Sequence, residues 1–182
     1  MYYRFSKVPG TIIIYKDIVI QYYQLHYTDL ILSILFTYYI TAFHLALPVH
    51  NLEIAKDFYG NILGCAEGRS SEKWQDYSLH GHQIVCHWVG DDYKCQDYFN
   101  PVDGDEVPVP HFGLALTEEQ FHALAKRLTE AGISFIIKPH LRFKGQPGEQ
   151  WTMFFKDPSG NNLEFKSMTT IENLFAKYNV VD

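Results

Sequence analysis

The chain has 182 residues, which is enough for one domain with a real core or for two small modules packed together. Its formal net charge of −6 argues against a nucleic-acid-binding protein, because neutralising phosphates requires a basic face. The three cysteines, Cys65, Cys86 and Cys95, show no CxxC spacing and form no disulfide framework. We therefore expect reduced thiols and a cytoplasmic protein.

Residues 1–41 differ in composition from the rest of the chain. From residue 11 to residue 41 the segment is dense in Ile, Tyr, Leu and Phe and contains no glycine or proline. Three interpretations are open: an N-terminal extension outside the domain, an additional element that covers an apolar surface, or membrane association. The uncharged run, residues 30–40, is too short to span a bilayer, which argues against the third interpretation.

From residue 42 the chain repeats one unit, a strand followed by a helix and then by further strands. The strands FHLALPV (43–49) and HFGLAL (111–116) precede the amphipathic helices NLEIAKDFYGNILG (51–64) and TEEQFHALAKRLTEAG (117–132). Short strand candidates with turn signals between them follow each helix, near 74–79 and 83–89 in the first half and near 133–137, 151–156 and 162–166 in the second.

The repeat defines the expected organisation of the chain. We predict a domain over 42–168, with one module at about 42–90 and the other at about 110–168. The polar segment 91–110 is interpreted as a link between the modules. A short C-terminal helix and tail are expected over 169–182.

Side-chain alternation along three strands places two histidines and a glutamate on comparable faces. His44 and His111 each stand at the start of a strand, on the face opposite its bulky apolar residues. In NNLEF, Glu164 points away from the flanking Leu163 and Phe165. Two imidazoles and a carboxylate form a facial triad for a divalent metal, with positions left open for water or substrate. A lone strand histidine is more often structural, but the matching positions in a repeat favour a metal site.

Together these motifs resemble the vicinal oxygen chelate superfamily, which includes glyoxalase I, extradiol dioxygenases, fosfomycin-resistance transferases and bleomycin-resistance proteins. The markers are FHLALPV, AKDFYGNILG, PHFGLAL and DPSGNNLEF, all within residues 42–168. The resemblance implies an α+β fold of paired βαβββ modules whose curled mixed sheets form a metal cleft. It also implies that His44, His111 and Glu164 are the metal ligands.

Departures from members of the superfamily narrow the chemistry that the resemblance implies. Glyoxalase I has a fourth ligand, a glutamate, where alignment on Gly81 and Gly160 places Val85. His87 lies on the same face and could replace that ligand, although a supporting role is favoured. Three ligands favour Fe²⁺ or Mn²⁺ and dioxygenase-like chemistry, whereas Ni²⁺ or Zn²⁺ would favour a lactoylglutathione lyase. Ring-cleaving dioxygenases, however, place a tyrosine where this chain has Phe154, which has no hydroxyl group to donate.

Residues expected to contact the substrate complete the prediction. Arg142 and Lys144, in the predicted loop 139–151, could bind an anionic group, while Gln83 and Phe154 would line the cleft. The leading hypothesis is a divalent-metal-dependent enzyme, slightly favoured as dioxygenase-like, that acts as a homodimer on a small oxygen-chelating molecule. The alternatives are a glyoxalase I-like lyase and a non-catalytic small-molecule-binding protein of the bleomycin-resistance type.

Overall fold

The computed structural model describes residues 13–15, 18–20 and 41–177 of the chain. It distinguishes two compact units, Met1–Thr41 and Ala42–Asp182. In the first unit, strands β1 (Ile13–Tyr15) and β2 (Ile18–Ile20) pair antiparallel. The interpretations of residues 1–41 depend mostly on residues outside the described ones and remain predictions. None of the described helices is long and apolar enough to cross a membrane.

The second unit contains two modules with the same order of elements. The first module consists of β3 (His44–Val49), α1 (Leu52–Lys56) with a π-helical continuation (Asp57–Ile62), β4 (Ala66–Ser70), β5 (Trp74–Leu79) and β6 (His82–Trp88). A hairpin follows, formed by β7 (Tyr98–Val102) and β8 (Asp105–Val109). The second module consists of β9 (His111–Ala115), α2 (Glu118–Glu130), β10 (Phe135–Arg142), β11 (Gln150–Lys156) and β12 (Asn162–Met168).

Each module forms a four-stranded mixed sheet of the same topology. The strand orders are β3-β6-β5-β4 and β10-β11-β12-β9. In each sheet the first strand pairs in parallel with the last, and the other neighbours are antiparallel. The predicted α+β class with paired βαβββ modules is therefore confirmed.

Both helices begin at the caps that the sequence indicates. The Asn51 side chain accepts a hydrogen bond from the Ile54 N–H at 3.0 Å. Thr117 and Gln120 form a reciprocal capping box at the start of α2. The apolar stripe of α2 is buried as its period of 3.6 residues predicts, namely Phe121, Leu124, Ala125 and Leu128.

One hydrophobic core joins the two modules. Phe58 of the π-helix lies 6.3 Å from Phe155 on β11, measured between ring centroids, and Phe155 stacks on Phe165 at 5.9 Å. A buried hydrogen bond also crosses between the modules, since the Tyr59 hydroxyl donates to Asp157 Oδ2 at 2.9 Å. These contacts lie on the helix side of the sheets, so polar residues of β3, β9 and β12 occupy the opposite faces.

Three segments differ from the sequence-based expectation. The predicted link contains the β7–β8 hairpin, in which Asp103 and Gly104 form the turn with positive φ angles of 48° and 80°. The strand β4 was not predicted, because its fully exposed sequence AEGRS shows no apolar alternation. The C-terminal helix is a short 3₁₀ helix, Ile171–Phe175, that leaves Phe175 92% exposed. Residues 178–182 lie outside the described residues.

Candidate metal centre

Three side chains converge on the carboxylate of Glu164 in β12. His111 Nε2 lies 3.3 Å from Glu164 Oε2, and Lys166 Nζ lies 2.9 Å from the same oxygen. The Thr152 hydroxyl donates to Glu164 Oε1 at 2.9 Å. The Glu164 side chain is only 6% exposed, so these contacts offset the cost of burying its charge.

The pKa values of this pair are shifted in opposite directions. Burial alone would raise the pKa of Glu164, but the hydrogen bond from His111 and the charge of Lys166 outweigh it and lower the pKa to about 2. The same hydrogen bond with Glu164 raises the pKa of His111 above 6.5, against the lowering effect of burial. Glu164 is therefore an anion at neutral pH.

Close pairing of β9 with β12 brings the two ligand candidates together. In the parallel register, Asn162 lies opposite His111 and Glu164 lies opposite Gly113. A Cβ atom added to Gly113 would lie 1.6 Å from the backbone oxygen of Glu164. Glycine is therefore required at this position, because any side chain would push the two strands apart.

A backbone carbonyl fixes the orientation of the His111 ring. His111 Nδ1 lies 2.7 Å from the Pro108 oxygen, and because a carbonyl only accepts, Nδ1 carries the proton. In the neutral ring, Nε2 then directs its lone pair at Glu164 Oε2. Two lone pairs at this distance repel, so a positive charge belongs there, either a second proton on the ring or a metal ion. The ring also packs edge-on against Phe154, with centroids 5.1 Å apart.

The pair fits a divalent metal in distance and in chemistry. Neighbouring ligands that each bind at about 2.1 Å and about 90° apart lie about 3 Å from one another. The Nε2–Oε2 distance of 3.3 Å is close to that value. An imidazole held through Nδ1 by an oxygen acceptor is also the usual arrangement of a metal-bound histidine.

His44 has an equivalent position and orientation in the first module. Its Nδ1 lies 2.7 Å from Gln83 Oε1, and the Gln83 amide nitrogen donates to Asp76 Oδ2 at 3.0 Å. This chain of hydrogen bonds assigns the proton of the neutral ring to Nδ1 and leaves the lone pair on Nε2. Arg69 forms an ion pair with Asp76 at 2.9 Å and completes the network.

One chain supplies two of the three predicted ligands at a single place. His111 and Glu164 lie together on the sheet of the second module, whereas His44 lies on that of the first. Within residues 41–177 and the two short described strands, no group of three His, Cys, Asp or Glu side chains could hold a metal ion.

The fold and the sequence match proteins of known family. The family model of the Glyoxalase/Bleomycin resistance protein/Dioxygenase superfamily matches residues 41–165. The chain belongs to this superfamily. The resemblance inferred from the sequence motifs is thus confirmed.

Three proteins illustrate how similar this chain is to other members of the superfamily in sequence and in fold. The glutathione transferase FosA of Serratia marcescens is 27% identical over 124 residues, which cover 66% of this chain and 76% of that protein. A superfamily protein from Alicyclobacillus acidocaldarius is 32% identical with a TM-score of 0.62, over 74% of this chain and 96% of that chain. The fosfomycin resistance protein FosX of Listeria monocytogenes is 20% identical with a TM-score of 0.53, over 71% and 93% respectively, and supports the fold alone.

In this superfamily member, the two predicted anion-binding residues lie in different surroundings. Arg142 is only 3% exposed because β10 continues beyond the predicted strand end, so the residue lies in a strand rather than in a loop. Its guanidinium lies 3.5 Å from Asp105 and donates to the Val102 carbonyl, both in the β7–β8 hairpin. Lys144 is exposed in the turn that follows β10.

The other predicted residues lie on the two sheets. Val85 is 5% exposed and occupies the position of the first sheet that Glu164 occupies in the second, because it lies opposite Ala46 where Glu164 lies opposite Gly113. His87 is exposed on β6. Gln83 holds His44 and Asp76 as described above, and Phe154 is 1% exposed against His111.

Two residues of the centre were not predicted from the sequence. Thr152 and Lys166 both contact Glu164, and they lie opposite each other in the pairing of β11 with β12. The sequence contained a signal for Lys166, which follows Glu164 by two positions and so shares its face. Thr152 stands in the same relation to Phe154 on the neighbouring strand.

Proposed function

We propose that the chain is a divalent-metal-dependent enzyme that acts on a small substrate with two neighbouring oxygen atoms. The observation that carries the proposal is the matched orientation of two histidines. His44 and His111 each bind an oxygen acceptor through Nδ1 and keep Nε2 available as a ligand. Glu164 supplies the anionic ligand beside His111. This donor set suits Fe²⁺ or Mn²⁺, with Ni²⁺ or Zn²⁺ as alternatives.

The complete site is proposed to form in a homodimer. One copy of the chain would supply His111 and Glu164, and the second copy would supply His44. Exposure around His44 supports this arrangement, because Ala42, Phe43 and Ala46 are exposed beside it and Phe43 is 62% exposed. Exposed apolar residues beside a polar functional group are typical of a surface that another protein covers.

The bound metal would act as a Lewis acid that stabilises negative charge on the substrate oxygens. The residues of the chain prepare the site for that role. Thr152 holds one carboxylate oxygen of Glu164 and so fixes the orientation of the other toward His111. Val85 offers no fourth ligand, which leaves more positions for substrate. Phe154 closes one side of the His111 ring and excludes water there.

Two reaction classes are proposed for the same centre. The similarity to the glutathione transferase FosA favours transfer of a thiol such as glutathione to a small substrate. The three-ligand set, in which Val85 replaces a fourth ligand, favours the dioxygenase-like alternative. We place the transferase first, because Phe154 cannot donate the hydrogen bond that a tyrosine would give to a catechol. The three unpaired cysteines are consistent with a cytoplasmic enzyme, which is part of the proposal.

Elemental analysis of the full-length protein, purified without oxygen, tests the metal centre. We expect about one metal ion per chain in the wild type, and almost none in Glu164→Ala and His44→Ala. His87→Ala is the matched control, since it removes another exposed histidine from the sheet that carries His44 and should keep the metal. Retention of metal by Glu164→Ala, or no uptake by the wild type after reloading, would reject the proposal.

Mixing the two ligand variants tests whether the site crosses between copies. Refolding His44→Ala together with Glu164→Ala gives about half heterodimers, and each has one intact site if the ligands come from different chains. We expect the mixture to recover about a quarter of the wild-type metal, whereas a site within one chain recovers none.

The reaction class follows from incubating the Mn²⁺ protein with fosfomycin and glutathione, and the Fe²⁺ protein with catechols under oxygen.

A further inference from the structure

Lys166 lies at the border between the candidate metal centre and solvent. Its Nζ is 2.9 Å from Glu164 Oε2, which is the oxygen that His111 also approaches. The Lys166 side chain is 29% exposed, while that of Glu164 is 6% exposed. The lysine is therefore the more accessible partner of this pair, and it lies between the buried carboxylate and solvent.

A divalent cation and the Lys166 ammonium group compete for the same oxygen. When a cation binds to His111 and Glu164, its charge repels the ammonium group only a few ångströms away. The flexible four-carbon stem of a lysine allows the ammonium group to move off the carboxylate. Space exists for that movement, because the residue opposite Lys166 on β9 is Ala115, whose side chain is a single methyl group.

The other cations that the sequence suggested for substrate binding are less well placed. Arg142 is buried and already lies near the carboxylates of Asp103 and Asp105, at 3.9 and 3.5 Å. Lys144 lies in an exposed turn. Lys166 is thus the cation that directly contacts a candidate metal ligand and that loses its own partner when the metal binds.

We propose that Lys166 is a substrate-binding residue that exchanges Glu164 for an oxyanion of the substrate when the metal binds. This inference rests on the proposed function and adds a substrate class, a small molecule with a compact oxyanion such as a phosphonate, phosphate or carboxylate. The anion compensates the displaced ammonium group and the excess positive charge of the metal centre. Binding of metal and of anion is therefore mutually reinforcing, because each strengthens the other by the same factor.

Titration of Mn²⁺ into the metal-free full-length protein tests this coupling. Sulfate serves as the oxyanion probe, and chloride at matched ionic strength serves as the reference. We expect the wild type to bind Mn²⁺ at least about fivefold more tightly in sulfate than in chloride, which is the lower end of typical coupling between sites. Electron paramagnetic resonance of free Mn²⁺ gives the affinity without relying on enzyme activity.

Variants of Lys166 separate its charge from its bulk. Lys166→Met keeps a long side chain without the charge, so it should bind Mn²⁺ more tightly than the wild type in chloride and lose the sulfate effect. Lys166→Arg should keep that effect. Lys126→Met is the control, because Lys126 forms a surface pair with Glu130 on α2 and should behave as the wild type.

The outcomes distinguish the inference from the proposal on which it rests. An equal sulfate effect in the wild type and Lys166→Met, or no sulfate effect in the wild type, overturns the role of Lys166 but leaves the metal centre. No Mn²⁺ binding by the wild type in either salt overturns both. Thermal unfolding of each variant identifies a loss of fold, and Lys166→Gln, which also removes the charge and should lose the sulfate effect, keeps the test decisive if Lys166→Met does not fold.

Discussion

The two modules carry a buried carboxylate in the same cross-strand pair, but on opposite strands of it. In the second module, Glu164 on β12 lies opposite Phe154 on β11. In the first module, Asp76 on β5 lies opposite Val85 on β6. The same pair of positions therefore holds a carboxylate in both modules, but the carboxylate is on the last strand of the second module and on the strand before the last in the first.

This exchange determines what the neighbouring histidine can do. Glu164 faces His111 directly at 3.3 Å, so the two can share one cation. Asp76 reaches His44 only through the amide of Gln83, which can orient the ring but leaves no anionic oxygen beside Nε2. One module therefore contains two candidate ligands, and the other presents a single oriented candidate. Identical topology therefore does not make the two sheets equivalent sites.

The largest loss of stability is expected from a substitution of Gly113, which occupies the position that Ala46 occupies in the first module. In Gly113→Ala the new Cβ collides with the backbone oxygen of Glu164, so β9 cannot stay paired with β12. Because the clash is with backbone rather than with a movable side chain, we expect the free energy of unfolding to fall by about 3 kcal/mol or more. Urea unfolding of the metal-free protein measures this loss.

The equivalent position of the first module provides the control. Ala46 lies opposite Val85 as Gly113 lies opposite Glu164, and it already carries a Cβ atom. Ala46→Gly should therefore cost only about 0.5–1 kcal/mol, the usual penalty for a glycine within a strand. Similar losses in the two variants would show that the close approach of β9 and β12 is not specific to the second module.

A smaller loss is expected when the carboxylate of Glu164 loses its neutral donor. Thr152→Val preserves the side-chain shape but removes the hydroxyl that donates to Oε1. Hydrogen bonds to charged groups contribute about 1.5–3 kcal/mol, so unfolding should become easier by about 2 kcal/mol. Thr152→Ser keeps the hydroxyl and should lose less. If Thr152→Val is as stable as the wild type and Thr152→Ser is not, packing of the Thr152 methyl group matters and the hydrogen bond does not.

Strand parity predicted the common face of His111 and Glu164 because alternation has a period of two and depends only on local sequence. The position of His44 relative to that pair could not be predicted in this way. It depends on how the two modules pack, which is decided by contacts far apart in the sequence, such as that between Phe58 and Phe155. The sequence therefore predicted that His111 and Glu164 share a face, but not which of the three candidate ligands one chain brings together.

Proline residues lie in three strands that the sequence-based prediction shortened or missed, namely β10, β7 and β8. The predicted loop 139–151 begins at Pro139, but β10 continues through this residue. It is an edge strand, where a missing N–H is tolerated, and its register shifts between Ile137 and His140. Pro101 and Pro108 similarly concealed the β7–β8 hairpin, which has only two strands and hence only edges. Arg142 was consequently predicted to lie in a loop.

Breaking the hydrogen-bond chain that runs from His44 through Gln83 to Asp76, here called the relay of the first module, should weaken metal binding and lower stability. Gln83→Leu deletes the acceptor of the His44 Nδ1 proton, so the ring loses its fixed orientation. Loss of such a supporting contact typically weakens metal affinity by about tenfold or more. We expect at least this loss in a Mn²⁺ titration. The free energy of unfolding should also fall by about 1.5 kcal/mol, because the buried Asp76 carboxylate loses its hydrogen bond from Gln83.

Ser78 offers a control for this variant because it is exposed and lies opposite Gln83 on β5. Ser78→Ala should leave Mn²⁺ affinity as in the wild type. Equal affinity of Gln83→Leu and the wild type would instead mean that His44 needs no oriented ring. The difference between His111, which contacts its carboxylate directly, and His44, which contacts Asp76 through Gln83, would then have no effect on metal binding.

The smallest change in stability and in metal affinity is expected when Arg69, which ends the same hydrogen-bond chain, is removed. Arg69 forms an ion pair with Asp76 at 2.9 Å, but its side chain is 76% exposed, and such pairs contribute about 0.5 kcal/mol. Arg69→Ala should therefore lower the free energy of unfolding by about that amount and change Mn²⁺ affinity by less than about twofold. Lys166, the corresponding cation of the second module, is 29% exposed and contacts the candidate ligand Glu164 directly, so its removal should change Mn²⁺ affinity more. A tenfold loss of affinity in Arg69→Ala would show that the charge acts through Asp76 and Gln83, and that the cations of the two modules have similar roles after all.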